Sequence, residues 1–282
     1  MRTSWPALTK PPAWFELEED VSIRVMKLGG SVVDRPESVE RLAAHIQSLD
    51  SPPILVHGGG SAVDSLQRRL GMEPVKVDGL RRSRADELEA ALMALCGSVN
   101  KRLVAGLLRL GVQAVGLAGV DAGLLRVKKM VHPQVDLGFV GEIIEVNPGV
   151  LERLLEHGMT PAVAPLSLGP GGQIYNVNAD QAASALARSV GSRTIDFVSD
   201  VPGVLLDGGV VPLLDPAQAR ALIAQQRVDG GMVPKLMAAV SAVEAGVPQA
   251  RIVDLAGLPS RGGTLVQMSG NGGAWRERTG AE

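Results

Sequence analysis

The chain is 282 residues long, carries a formal charge of −2 and is 45% hydrophobic but only 2% aromatic. That length supports one large α/β domain or two lobes with a sizeable core, and the near-neutral charge argues against a nucleic-acid binder, which is usually basic. A single cysteine, Cys96, excludes an internal disulfide and suits a reducing cytoplasm, while a core of Val, Leu, Ile and Ala suits helices packed on a parallel sheet.

Residues 1–20 hold Pro6, Pro11, Pro12 and an acidic run from Glu16 to Asp20, which predicts an irregular arm; Met1 to Pro6 lacks the apolar centre of a secretory signal. Val25 to Leu28 is an apolar strand that delivers Lys27 and breaks on Gly29-Gly30. A strand ending this way offers bare backbone N–H groups and one cation to an anion. Val39, Leu42, Ala43 and Ile46 then recur at helical spacing. Ile54 to Val56 is a second buried strand, running into His57-Gly58-Gly59-Gly60-Ser61, and Val63, Leu66 and Leu70 form one face of a helix closed by Gly71. Val75 to Arg81 alternates like a surface hairpin strand. Ala85 to Leu110 reads as a long helix, inside which Cys96 is a packed small residue and not a nucleophile. The apolar stretch Val104 to Leu125 is interrupted by Arg109, Gln113 and Asp121, which speaks against a membrane span. Ala114 to Leu117 is a strand, Arg126 to Met130 and Phe139 to Val146 form an antiparallel pair, and Asn147 caps a helix that Pro148 begins.

The second half repeats the rhythm. Pro161 to Leu166 is a strand, Gly169 to Gly172 a turn, and Asn176-Val177-Asn178-Ala179-Asp180 opens a helix that ends near Gly191. Thr194 to Val198 feeds Asp200-Val201-Pro202-Gly203; Asp215 caps a helix begun by Pro216; Gly230-Gly231 precedes a helix carrying Lys235. Arg251 to Leu255 and Thr264 to Val266 are the last strands. Strands alternating with helices over short connections predict an open, mainly parallel sheet covered on both faces.

Two familiar nucleotide signatures are missing. No G-x-x-x-x-G-K-[ST] occurs, and Gly58 to Ser61 lacks the third glycine of a dinucleotide fingerprint, since position 63 is Val. What remains is two glycine loops, each after a buried strand, and two separate lysines, Lys27 and Lys235. Phosphoryl transfer needs such equipment: cations and N–H donors around the moving group, with little covalent help. Taken singly, Lys235 is an ordinary helix lysine, Asp180 a helix cap, and Asn176 and Asn178 turn residues. His57 reads as a structural hydrogen-bonding residue, and His45, His132 and His157 as surface or helix-end residues.

In their order and spacing, Lys27-Leu28-Gly29-Gly30, His57 to Gly60, Gly79-Leu80-Arg81, Asn100-Lys101, Gly138 to Gly141, Asn176 to Asp180, Asp200 to Gly203 and Gly230 to Lys235 resemble the amino acid kinase family. Within it the chain is most similar to the members that phosphorylate N-acetyl-L-glutamate in arginine biosynthesis, from about Ile23 to Val266. The resemblance implies a three-layer αβα sandwich, with acyl substrate and dimerisation in residues 21–175 and ATP in residues 176–282. It implies that Lys27 and Lys235 contact the transferring phosphoryl from opposite sides while Asp180 holds both ammonium groups. Gly29, Gly30 and Gly59 would bind phosphoryl oxygens through their N–H groups. Arg81 would fork onto the substrate's α-carboxylate and Asn176 would bind the acetamido group, with Gly59 and Gly60 as backbone contacts. Asp200, Val201, Pro202, Gly203, Val204 and Leu205, with Arg227, Val228 and Asp229, would contact the nucleotide. Magnesium would travel on ATP with no protein ligand, in a cytoplasmic homodimer free of nucleic acid and membrane. One departure from the family pattern, the added cations of Arg82-Ser83-Arg84, suits an acidic carrier protein bearing aminoadipate or glutamate as the alternative substrate. A catalytically silent nucleotide sensor is the rival from another class, against which Lys27, Asp180 and Lys235 all stand.

Overall fold

A computed structural model describes residues 23–269, so the irregular arm expected over residues 1–20 lies outside the described residues. β1 (Val25–Leu28) is followed by one helical turn, α1 (Gly30–Val33), and by α2 (Pro36–Gln47). β2 (Ile54–His57) passes through the glycines into α3 (Gly60–Arg69), and a short hairpin of β3 (Lys76–Val77) and β4 (Leu80–Arg81) follows. α4 (Ala85–Leu92), a π-helical stretch Met93–Val99 and α5 (Asn100–Arg109) make one continuous rod. Then come β5 (Ala114–Ala118), β6 (Leu125–Lys129), β7 (Gly141–Val146), α6 (Gly149–Glu156), β8 (Thr160–Ala164), β9 (Leu166–Leu168) and β10 (Ile174–Asn176). The second half holds α7 (Ala179–Ser189), β11 (Thr194–Ser199), β12 (Leu205–Leu206), β13 (Gly209–Val210), β14 (Leu213–Leu214), α8 (Pro216–Ala224), α9 (Met232–Glu244), β15 (Gln249–Asp254) and β16 (Thr264–Gln267).

Eight strands form the central sheet in the order β14-β16-β15-β11-β1-β2-β8-β5. β1 lies between β2 and β11 and is parallel to both; β16 runs antiparallel to β15. The two faces of each strand are buried against different helices. Val25, Ile54, Val56, Ile195 and Phe197 pack with Leu151 of α6, Leu186 of α7 and Leu236 of α9, whereas Met26, Leu28, Leu55 and Val198 pack with Leu42 of α2 and Leu103 and Leu107 of α5. Burial on both faces is why these strands read as unbroken apolar runs. The result is the expected three-layer α/β sandwich with a mainly parallel sheet. By length and composition the rod over residues 85–109 could cross a membrane. In this fold one side of it is packed in the core, where Ala90, Ala91, Leu103 and Leu107 are buried.

The structure departs from the sequence reading at four places. The apolar run Pro161 to Leu166 is not one strand: the chain turns at Pro165, β8 stays in the central sheet, and β9 joins a second sheet of order β10-β9-β6-β7. Asn147 does not cap α6; Pro148 holds the cap position, and Asn147 Nδ2 donates to the Ala122 carbonyl at 3.2 Å. The strand expected over Arg251 to Leu255 begins earlier and ends earlier, as β15 at Gln249–Asp254, whereas β16 begins at Thr264 as expected. His45 is at a helix end, in the last turn of α2, but it is not at the surface: it is 5% exposed, and neither ring nitrogen has a hydrogen-bond partner. Burial first, then the Arg24 charge, holds its pKa below the ordinary value.

Candidate active site

The site forms where β1 and β2 end side by side, since Leu28 pairs with His57. Side chains alternate along a strand, so Lys27 emerges on the same face as Val25, the face that α7 covers. There the Lys27 ammonium meets Asp180 Oδ1 at 2.8 Å, with both side chains about three-quarters buried. Asp180 sits in the first turn of α7, whose start is fixed by Asn178: its Oδ1 accepts the N–H groups of Asp180 at 2.8 Å and Gln181 at 3.3 Å. The cap is therefore Asn178, and Asp180 is left to the lysine.

The glycine turns lie beside this pair. Gly59 has φ 148°, a conformation side-chain-bearing residues avoid, and a Cβ there would stand 2.9 Å from Leu95 Cδ2. Ser61 Oγ donates to Asp34 Oδ2 at 2.8 Å and so ties the second glycine turn to the first. The N–H of Gly29 does not face the cleft, because it donates to the Val198 carbonyl at 2.9 Å and extends the ladder with β11. Gly30 and Gly59 remain as donors, at helix starts whose first N–H groups have no acceptor inside the helix.

Lys27, Gly59, Gly60, Arg81, Asn176 and Asp180 line one cavity of about 360 Å³. Arg81 reaches it from the hairpin. Its Nη1 donates to the Asp64 carboxylate and to Gln67 Oε1 at 3.2 Å, and its Nη2 to the Gly60 carbonyl at 3.1 Å. Asn176 Nδ2 donates to Ser83 Oγ at 3.2 Å, which leaves the amide oxygen to face a ligand. A larger cavity of about 540 Å³ lies next door between α7 and α9. It shares Asn178 and Asp180, but neither Lys27 nor any residue of Gly58 to Gly60 lines it.

Lys235 is not brought to Asp180. It sits in the first turn of α9, and its ammonium lies 3.5 Å from Asp200 Oδ1, at the end of β11. Asp180 thus holds one lysine where two were expected. The stretch Asp200 to Leu205 is anchored by Val204, which is buried and donates its N–H to Thr264 Oγ1 at 2.7 Å. Arg227 pairs with Asp207 at 2.9 Å, bringing Arg227 to Asp229 against the β12–β13 hairpin, and Val204 and Val228 share one core cluster. The two segments expected to contact the nucleotide are thus linked through the β12–β13 hairpin and one core cluster.

His57 is fully buried; burial pushes its pKa down to about 4, so it is neutral and carries no proton traffic at neutral pH. Burial likewise pushes the Cys96 thiol up to about 11, which makes it inert. Arg82 is taken up by Glu87, at 2.6 Å, and Glu87 also accepts the N–H of Arg84 at 2.7 Å. Sequence reasoning missed Asp64 and Gln67, which hold Arg81. The available signal was their i, i+3 spacing on α3, beside the Val63 and Leu66 stripe.

Glycine turns at parallel strand ends, with an aspartate-held lysine among them, make this a phosphoryl-transfer cleft on a three-layer α/β fold. The chain belongs to the amino acid kinase family, whose profile matches residues 22–254. It is similar to the acetylglutamate kinase of Roseiflexus sp. (strain RS-1), with 46% identity over 248 residues, 88% of this chain and 95% of that one. The acetylglutamate kinase of Methanopyrus kandleri is 44% identical over 253 residues, 87% of this chain and 100% of that one. Among solved structures, carbamate kinase from Giardia shares the fold with a TM-score of 0.66 at 15% identity, covering 89% of this chain and all of that one.

Proposed function

We propose that the chain catalyses ATP-dependent phosphorylation of the γ-carboxylate of N-acetyl-L-glutamate, the second step of arginine biosynthesis. The observation that carries this reading is the Lys27–Asp180 pair in the cavity that also receives Arg81 and Asn176. A γ-carboxylate oxygen attacks the γ-phosphorus of ATP in line; the new O–P bond forms as the bond to the β,γ-bridging oxygen breaks, and ADP leaves with that electron pair. The carboxylate is already ionised at neutral pH, so no proton moves and no general base is needed. Lys27 stabilises the charge on the transferring group, with Gly30 and Gly59 as N–H donors. Arg81 binds the substrate's α-carboxylate in a planar fork, with Asp64 and Gln67 holding the guanidinium, and Asn176 receives the acetamido N–H.

ATP would lie over Asp200 to Leu205 and Arg227 to Asp229, with residues 21–175 serving the acyl substrate and residues 176–282 the nucleotide. Lys235 would then leave Asp200 for the phosphoryl group. The carboxylates nearest the transfer path, Asp180 and Asp200, are each engaged by a lysine. That fits Mg²⁺ held by ATP oxygens and water, where it neutralises phosphate charge. The Arg82–Glu87 pair favours a free amino acid over an acidic carrier protein, since one of the two extra cations is already neutralised. We place the enzyme in the cytoplasm as a homodimer. The test is hydroxylamine trapping of acyl phosphate: hydroxamate from N-acetylglutamate supports the reading, and silence on both N-acetylglutamate and N-acetyl-aminoadipate overturns it.

A further inference from the structure

We infer that Asn100 and Lys101 are positioning residues for the second glycine loop, acting on it through His57. The inference rests on the reading of Gly59 and Gly60 as part of the phosphoryl and substrate cradle. His57 is the last residue of β2 and points away from Lys27, toward the α5 side of the sheet, because it shares the face of Leu55. Its Nδ1 lies 2.8 Å from the Gly58 carbonyl, and a carbonyl can only accept, so Nδ1 carries the proton. Nε2 is then an acceptor, and it faces Asn100 Nδ2 at 3.0 Å. The same amide nitrogen donates to the Ala162 carbonyl at 2.8 Å. Asn100 Oδ1 accepts from Lys101 Nζ at 3.0 Å, and Lys101 Nζ also donates to the Gly116 carbonyl at 3.2 Å.

Each group in this chain has one consistent role. Turning the Asn100 amide over would set its oxygen against both the Ala162 carbonyl and the His57 lone pair, so the direction is fixed from Lys101 to Gly58. Burial keeps His57 neutral, with a pKa of about 4, which preserves that direction across the working pH range. The space has been cleared for it: a Cβ on Gly116 would overlap Asn100 Oδ1 and stand 2.7 Å from Lys101 Nζ.

The helix supplies a second support. The π-helical stretch Met93–Val99 immediately precedes Asn100. Its Leu95 and Val99 lie directly under Gly59, 2.9 and 3.1 Å from where a Cβ would be. A π-helical stretch changes the angular spacing of successive side chains, and here one short segment aims two apolar groups at Gly59 and passes an amide to His57. Thus Gly58 is held by a polar chain and Gly59 by an apolar shelf, both from the same helix. An apolar core would fill this volume without two buried polar side chains, His57 and Asn100, that must both be satisfied. What the polar chain adds is a fixed direction for the loop's N–H donors, which stabilise developing charge only if already aimed.

The test compares kcat, KM for ATP, KM for N-acetylglutamate and thermal melting for Lys101→Met, Lys101→Arg and Asn100→Ala, with Lys27→Met alongside. Misplacing a catalytic group by about 1 Å can cost about 100-fold. We expect kcat to fall about 10-fold or more in Asn100→Ala and several-fold in Lys101→Met, with both KM values within about two-fold, the pattern of a lost transition-state interaction. Lys101→Arg, which keeps a donor, should restore kcat. Lys101 is exposed, so Lys101→Met folds and decides the question even where Asn100→Ala does not. Unchanged kcat in the folded variants, or a raised KM with kcat intact, overturns the proposal. If Lys27→Met is inactive while those variants keep kcat, the cradle reading stands and the bracing role alone falls. If Lys27→Met retains full turnover, the cradle reading falls and the bracing role with it.

Discussion

Lowering the pH from 7 to 5 perturbs His57 without any mutation. An ordinary histidine in the unfolded chain titrates near 6.5, whereas burial holds the folded His57 at about 4. Between those values the unfolded chain binds the proton and the folded chain does not. The stabilisation from His57 is therefore complete above about pH 6.5 and is lost as the pH falls toward 4. At pH 5 the linkage amounts to about 2 kcal/mol. His45 is shifted the same way and adds to the slope. Asp136, held below its ordinary range by a hydrogen bond from Lys129, and Asp215, held there by Ser269, contribute only in more acidic solution and do not confuse this window. The assay is urea unfolding followed by far-UV circular dichroism at pH 7 and pH 5, in the natural chain and in His57→Gln. The pH-dependent loss should be smaller by about 2 kcal/mol in His57→Gln. Equal losses in the two proteins would refute a buried, neutral His57 and the directed chain built on it.

Arg81→Lys keeps a cation but loses the planar fork, and should raise KM for N-acetylglutamate about 10-fold or more while KM for ATP stays put; steady-state kinetics checks it. Lys235→Met should lower kcat on the order of 100-fold in the hydroxamate assay, as for loss of one charge-stabilising donor, and unchanged turnover would remove Lys235 from the mechanism. Asp196 is fully buried, accepts Arg251 Nε at 2.7 Å and pairs with Arg24 at 3.4 Å. Asp196→Ala strands a buried guanidinium and should cost about 3–5 kcal/mol in urea unfolding. It sits four residues before Asp200, roughly 13 Å down the strand, so KM values of the folded variant should hold.

The legible parts of the fold were those written locally. Val25 to Leu28 and Ile54 to His57 announce themselves because burial on both faces makes them continuously apolar and glycines end them at once. Asp215 is legible as a cap because its partner, Gln218, is three residues away. The strand break at Pro165 was not, since the same apolar run serves two different sheets and nothing in its composition says where one ends. In the site, Lys27 and Asp180 are 153 positions apart, and only the likeness to a family placed them together. Asp64 was missed because its partner, Arg81, comes from a hairpin folded back over α3, a contact no periodicity encodes. His45 flanks the α2 apolar stripe at a position where helical spacing leaves burial undecided, and the charges around it come from distant residues, Arg24 just before β1, Asp196 of β11 and Arg251 of β15.

The central position of β1 has a mechanical consequence. It shares a four-residue ladder with β2 on one side and with β11 on the other. In the proposed function, the wall that would cradle the acyl substrate grows from the β2 side, and the segment that would hold the nucleotide from the β11 side. Swinging one half away from the other about this line would tear hydrogen bonds that are replaced by nothing until the halves close again. The two substrates are therefore presented over a stiff floor, and the approach of oxygen to phosphorus must be adjusted from the rim: the β3–β4 hairpin, the β12–β13 hairpin and the first turn of α9. Each of these is short and tied down by side-chain contacts, Arg81 to Asp64, Arg227 to Asp207 and Lys235 to Asp200, which can be exchanged for contacts to substrate without breaking the sheet.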